Sequence, residues 1–394
     1  MARIARIIAR LNVGGPARHV VWLTSGLNDD EFSTELIAGT VPAGEDDMSY
    51  FAEANGVTPT YVAELSRELS PKDAISLFKI YRHLKRIKPD IIHTHTAKAG
   101  TVGRTAAWIY KWLTPGTLVG RPRRVRVVHT FHGHIFHGYY GAAKTRLFLA
   151  IERILGRFAT DRIVVITGQQ LDEINGEFRV GRQDQFKIIP LGLDLEPLLQ
   201  VDHDVSQEHI TVGFIGRFTA IKNIPLLIRA AAIAQGQNAS LRFILVGDGE
   251  LRSEVSSLVA ELGLDETIEQ LGNRDDIPQL LQRMDILALT SLNEGTPLSL
   301  IEGMAAGVPF VSTPAGGVVD LAGEIEEDYP GFRVCERGIL ADPEEQTFAK
   351  ALIYLASNEK LRQKLANNGR QFVRERYSKE RLISDIKDLY REIS

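Results

Sequence analysis

The sequence predicts an α/β protein of two doubly wound domains, each a parallel sheet flanked by helices. Three observations carry this reading. Both halves alternate short β-branched runs with helical patterns, as strand, crossover helix and parallel strand do. A length of 394 residues exceeds one ordinary core and suits two domains of roughly 150 to 200 residues each. Residues 193–209, acidic and apolar by turns without a clear period, read as a linker between a first domain at 1–192 and a second at 210–378.

Strands of the first domain are expected at IARIIARL (4–11), TELIAG (34–39), DIIHT (90–94), RVRVVHTF (124–131), RIVVIT (162–167) and FKIIP (186–190). One intervening helix is punctuated at both ends. Ser70-Pro71-Lys72-Asp73 supplies a cap, a proline for the first helical position and an acid for the first turn, and Pro89 closes the helix. The second domain repeats the scheme at ITVGFIG (210–216), LRFILVG (241–247), TIEQLG (267–272), DILALTS (285–291), VPFVST (308–313) and FRVCE (332–336). Residues 344–394 read as helical throughout. Two such domains are expected to face each other across a cleft, with ligands at the carboxyl ends of the strands.

Composition narrows the class. Hydrophobic content of 44% with 24% charged residues is that of a globular protein, and no run approaches the roughly 20 apolar residues needed to span a bilayer. Arg6 and Arg10 interrupt the apolar N-terminus, so it reads as a strand rather than a signal peptide. The single cysteine, Cys335, excludes an internal disulfide and sits in a strand-like setting, which suggests a buried apolar role in a reducing, cytoplasmic compartment. Charge is uneven. Residues 1–192 carry 26 Lys and Arg against 18 Asp and Glu (net +8), leaving 20 against 32 (net −12) for residues 193–394. The basic half contains KIYRHLKRIK (79–88) and RPRRVR (121–126), which suit an anionic acceptor or the inner face of a membrane. Nucleic acid is not expected as a partner, and the oligomeric state is left open.

Three motifs carry chemistry. In LNVGGPARHVVWL (11–23), Gly14 and Gly15 follow the first strand and Pro16 opens a helix, so backbone and free amides can approach an anion. In GFIGRFTAIKN (213–223), Gly216 precedes Arg217, and Arg217 with Lys222 combines a bidentate fork with a mobile point charge, a set suited to pyrophosphate. In SLNEGTPLSLIEGMAAGVP (291–309), Glu294 lies in a loop and Glu302 on the helix that follows. Pro297 is expected at the first helical position, and the amides of Leu298, Ser299 and Leu300 are expected to meet a phosphate. Glu302, inside an apolar run, needs a partner.

Histidines form a fourth cluster. His93 and His95 end one strand, and His129, His132, His134 and His137 follow in HTFHGHIFH. Their spacing permits a metal-dependent hydrolase using His93, His95, His132, His134 and His137, although Phe136 stands where a dinuclear signature wants an aspartate. Lys98, just past a strand end, is a candidate contact for an acceptor or a phosphate.

NVGGPARHV, HTFHGH, GFIGRFTAIKN, VGDGELR and above all NEGTPLSLIEGMAAGVPFVST resemble the retaining glycosyltransferases of family 4, which have the GT-B fold of two Rossmann-like domains. The resemblance covers most of the chain in the family's order. It implies transfer of a hexose or N-acetylhexosamine from a nucleotide-diphosphate sugar, commonly UDP-linked, to a saccharide or lipid-linked acceptor in cell-surface polysaccharide synthesis, with no metal or other cofactor. Arg217 and Lys222 match the cations on the donor pyrophosphate, Glu302 the carboxylate on the ribose, and Glu294 the acid on the donor sugar. His132 matches the histidine that reaches that sugar. These four residues, His132, Glu294, Arg217 and Lys222, are the catalytic candidates. Gly15, Gly216, Asn273, Arg274, Gly295, Thr296, Pro297, Leu298 and Ser299 complete the implied donor site, with Asn273 and Arg274 near the base. Gly14, His95, Lys98 and His134 are the acceptor candidates. The final helix, 379–394, is expected to return to the first domain, as in relatives. Two departures stand out: Pro297 replaces a common glycine, and 324–345 is longer and more acidic than the usual connection. The resemblance does not name the donor sugar, base or acceptor.

Overall fold

A computed structural model describes the chain except for residues 13, 42–46, 66–70, 133–141, 203–208 and 238–239. It divides into two compact units, Met1–Gly192 with Lys379–Ser394, and Leu193–Ser378.

Among the described residues the first unit holds seven strands: β1 Ala2–Ile8, β2 Phe32–Ala38, β3 Thr60–Tyr61, β4 Ile91–His95, β5 Arg126–Thr130, β6 Arg162–Val165 and β7 Phe186–Ile188. They lie in the order β3-β2-β1-β4-β5-β6-β7, and every pair is parallel. Chain direction across the sheet reverses between β1 and β4, where a ligand crevice is expected at the strands' carboxyl ends. Register sets Arg6 beside His93 and Thr94 beside His129. The two-residue β3 has too few residues to show a period, so the sequence missed it.

One expected helix start moves. That helix spans Asp73–Ile87, with Lys72 as its N-cap and Pro71 in the preceding turn, so the proline is not its first residue. Ser70, the expected cap, lies outside the described residues. At the other end Lys88 turns left-handed, with φ +52°, and its amide bonds Leu84 before Pro89 stops the chain.

The helix Lys379–Ile393 completes the first unit's core. Leu382, Ile386, Leu389, Tyr390 and Ile393 pack with Ile4, Leu23, Phe32, Ile91 and Val128, all buried. Lys387 and Arg391 fix its outer face to Asp29 and Glu31 at 2.7 Å each.

Among the described residues the second unit holds eight strands: β8 Ile210–Ile215, β9 Leu241–Val246, β10 Ile268–Gly272, β11 Ile286–Leu289, β12 Phe310–Ser312, β13 Ile325–Tyr329, β14 Phe332–Cys335 and β15 Gly338–Ala341. Their order is β10-β9-β8-β11-β12-β15-β14-β13, with the reversal between β8 and β11. The expectation of a purely parallel sheet fails at one edge, where β13, β14 and β15 form an antiparallel meander. This is the acidic segment 324–345. Its outermost strand, IEEDY, is exposed along most of its length, and its carboxylates blunt an edge that would otherwise invite pairing. Cys335 is buried there, and burial pushes its thiol up. Part of the expected linker is ordered: Glu196–Leu199 is helical and packs on the helix Leu298–Ala306. Among the described residues no helix is long and apolar enough to cross a membrane.

Candidate functional site

In the first unit the candidates gather at the carboxyl ends of β1, β4 and β5. After β1 the chain enters the helix Gly15–Gly26 with Gly14 as N-cap and Pro16 in its first turn. A side chain at Gly15 would meet nothing within 4 Å, so this glycine leaves open space beside the helix start. After β4, Thr96 is held at φ +68°, a conformation costly for a β-branched residue, and its hydroxyl is buried without a hydrogen-bond partner among the described residues. That strain sits beside His95.

The histidines sort by strand face. His93 and His95, two apart on β4, share a face with ring centroids 4.1 Å apart. His129 lies on the opposite face with Thr94, its Nδ1 2.8 Å from the Thr94 hydroxyl, and serves the packing of the strand. His93 is fully committed: Nδ1 lies 2.6 Å from the Tyr390 hydroxyl and Nε2 2.7 Å from that of Thr130. Arg6 can only donate to the Tyr390 oxygen, so Tyr390 donates its proton to His93 Nδ1 and His93 donates from Nε2 to Thr130. His95 faces His132, Nδ1 to Nε2, at 3.0 Å.

A residue the sequence reading passed over completes the group. His19, buried on the helix after the glycine pair, stands edge-on to His132 with centroids 4.7 Å apart, and to His95 at 5.6 Å. The signal was a histidine four residues into an otherwise apolar helix face, in GGPARHVV. Burial holds His19, His93, His95 and His129 well below the ordinary histidine range, reinforced by nearby positive charge, and pushes His132 down to about 4. All five are therefore neutral at physiological pH.

Ring nitrogens of His19, His95 and His132 lie within 4.8 Å of one another, close enough to bind one cation. This set differs from the one expected for a hydrolase, because both nitrogens of His93 are occupied. His134 and His137 lie outside the described residues. Lys98 also departs from expectation: instead of a free cation at the strand end it is buried, with its ammonium 2.7 Å from Asp73.

In the second unit the candidates surround the ends of β8 and β11. Arg217 is exposed after β8 and makes no ion pair among the described residues. Lys222 reaches Glu294 at 2.6 Å, and the Ser291 hydroxyl donates to the same carboxylate oxygen at 2.5 Å. Two motifs seventy-two residues apart thus become one site.

Close backbone contacts seat both loops. A side-chain carbon on Gly317 would fall 1.9 Å from the Gly295 carbonyl, and one on Gly316, itself at φ +52°, 2.1 Å from that of Glu294. Likewise, such a carbon on Gly247 would fall 1.9 Å from the Gly216 carbonyl, which explains the glycines of VGDG.

Pro297 is the N-cap of the helix Leu298–Ala306 rather than its first residue. Its carbonyl accepts from Leu300 at 3.2 Å, so the amides offered to a ligand are those of Leu298 and Ser299, not all three. Gly295 and Thr296 form the half-buried turn before it, and Glu302 is half-buried on the helix. Asn273 and Arg274 are exposed in the loop after β10, where Arg274 is held bidentate by Asp276 at 2.7 and 2.5 Å.

Known proteins with these features are transferases. The family model "Glycosyltransferase Family 4" matches residues 13–197, and "Glycosyl transferases group 1" matches 198–372. The chain belongs to the family 4-type glycosyltransferases of the GT-B fold. It is 28% identical over 350 residues to the Escherichia coli UDP-Gal:alpha-D-GlcNAc-diphosphoundecaprenol alpha-1,3-galactosyltransferase, covering 85% of this chain and 84% of that one. It is also 28% identical to the putative glycosyltransferase EpsD of Bacillus subtilis, over 86% of this chain and 87% of the other. Among solved structures, a glycosyltransferase from Rickettsia africae matches with a TM-score of 0.77 at 18% identity, over 100% of this chain and 98% of that one. The Anabaena protein Alr3699/HepE in complex with UDP matches with a TM-score of 0.75 at 20% identity, over 99% and 100%. The hydrolase reading finds no support among these relatives.

Proposed function

We propose that this glycosyltransferase moves a hexosyl or N-acetylhexosaminyl group from a UDP-sugar to a saccharide or lipid-linked acceptor at the cytoplasmic side of a membrane, with retention and without a metal. The observation that carries the reading is the joined site at the ends of β8 and β11. There Lys222 and Glu294 are paired, Arg217 is available, and the Leu298 and Ser299 amides open a helix. A leaving diphosphate gains charge as the C1–O bond breaks, and fixed cations with helix-end amides stabilise it. Glu294 accepts hydrogen bonds from sugar hydroxyls and Glu302 from the ribose. Asn273 and Arg274 border the base.

His132 contributes a neutral imidazole to the sugar, with His95 and Gly14 on the acceptor side. The acceptor oxygen attacks C1 on the face the diphosphate leaves, and its proton passes to the departing phosphate oxygen. The names of the E. coli relative and the Anabaena complex support uridine as the base.

The test is transfer from a panel of sugar nucleotides, with product anomer read by NMR and with a chelator added. Inversion would overturn the retaining assignment, loss of activity on chelation the metal-independent one, and absence of transfer from every UDP-sugar the donor class.

A further inference from the structure

We infer that the face of the first unit formed by the helices Asp73–Ile87, Ala97–Trp112 and Ala142–Phe158 is a docking surface for an anionic lipid bilayer. The inference rests on the lipid-side setting proposed above but on none of the donor-site residues. The three helices follow successive rightward crossovers, β3 to β4, β4 to β5 and β5 to β6, and so share one face of the sheet. The first two pack together and the second packs on the third, where Arg104 and Glu152 are joined at 2.6 Å in full burial.

Charge is one-sided over this stretch. Residues 73–158 contain sixteen Lys and Arg against three acids, Asp73, Asp90 and Glu152, and Asp73 is paired with the buried Lys98. Glu152 is consumed by Arg104, so among the described residues the outer face of the third helix presents Arg146, Arg153 and Arg157 without a carboxylate bonded to them. On that helix Arg146, Arg153 and Arg157 alternate with exposed Leu147, Ile154 and Phe158. The second helix presents Trp108, Lys111 and Trp112 on one side, one turn apart. The turn after it leaves Leu118 and Val119 exposed at 90% and 73%. On the first helix Ile75 and Phe78 are exposed among Lys79, Arg82 and Lys85.

Apolar side chains rimmed by cations fit a bilayer, where the former enter the acyl boundary and the latter meet phosphate. A cavity of about 310 Å³ beside Trp108 and Phe158 is suited to a headgroup: Lys111, Arg126, Arg157, Arg162 and Arg182 line it, against only Asp161 and Glu392. A second copy of this face would bring like charges together. A nucleic acid would leave Leu118, Val119 and Ile154 without a partner.

The experiment sediments the full chain, with no sugar nucleotide present, on vesicles of phosphatidylcholine alone and of phosphatidylcholine with phosphatidylglycerol. Tryptophan emission is read in parallel, since two of the three tryptophans lie on this face. Binding to the anionic vesicles alone, weakened by salt and accompanied by a blue shift, supports the proposal. The variants Arg146→Glu/Arg153→Glu/Arg157→Glu and Trp112→Ser/Leu118→Ser should each lower the partition coefficient roughly tenfold or more. Transfer to a soluble saccharide, and far-ultraviolet dichroism, should stay as in the wild type. Equal binding to neutral vesicles, wild-type binding by both variants, or capture of an RNA oligomer or self-association in place of vesicle binding would overturn it. Failure of sugar transfer would count against the donor reading only, because vesicle binding is scored separately.

Discussion

Lys222 and Glu294 are bridged at 2.6 Å across seventy-two residues of chain, and each side chain is at most one-fifth exposed. Neither charge is well hydrated, so each needs the other or a ligand. Lys222→Ala should lower kcat/KM for sugar transfer by roughly 10² to 10³. Lys222→Ala/Glu294→Ala should cost less than the product of the single losses, because the two act as a unit. Steady-state kinetics on the four proteins measures this, and multiplicative losses would sink the coupling.

Glu302 should act on nucleotide affinity. Glu302→Gln keeps the shape and removes the charge, so UDP binding should weaken roughly tenfold to a hundredfold, the span of a hydrogen bond to a charged group. Calorimetric titration reads it. An unchanged dissociation constant would remove Glu302 from the ribose.

Two glycines make a contrast. Gly317→Ala places a carbon 1.9 Å from the Gly295 carbonyl and must displace the Glu294 loop, whereas Gly15→Ala meets nothing within 4 Å. The first should lower both melting temperature and transfer, about tenfold or more in rate, as misplaced groups do. The second should fold as the wild type, so any loss of transfer it shows reports ligand approach.

Acid should destabilise the first unit. His19, His93, His95 and His129 are held well below 6.5 by burial, and His132 at about 4, while unfolding frees all five to protonate near their ordinary value. The unfolded chain therefore binds more protons below about pH 6.5. Stability present above that pH is lost as pH falls toward 4. Melting curves between about pH 7.5 and about pH 5 should show a steep decline in melting temperature. A flat profile would contradict the burial.

Tyr390→Phe should cost about 1 to 3 kcal/mol, since Arg6 and His93 each lose one of their partners in a fully buried setting. Urea denaturation measures the loss. Replacing His93 by Gln in the same background should then cost less than it does alone.

Strands buried on both faces were legible because their β-branched runs are continuous, as at ITVGFI and DILAL. The 324–345 meander was not: IEEDY lies at an exposed edge, so neither burial nor alternation marks it. In the site, the cations after β8 and the acids near β11 were readable one by one, yet their pairing depends on Gly316, Gly317 and Gly247 letting backbones touch, which no local pattern encodes. His19 escaped because an apolar helix face conceals a polar residue whose partners arrive from β4 and β5. Lys98 misled because its neutralising partner, Asp73, lies on a different helix.

The helix Lys379–Ile393 gives synthesis a direction. During translation, residues 193–378 are polymerised before Leu382, Ile386 and Tyr390 are added to fill the gap among Ile4, Phe32 and Ile91. The unit made first is the one finished last, so His93 receives Tyr390, one of its two hydrogen-bond partners, only after the second unit has been made. A nascent chain stalled before residue 390 presents an unfilled core to chaperones and proteases, and the closing helix thereby acts as a check that the second unit has been synthesised.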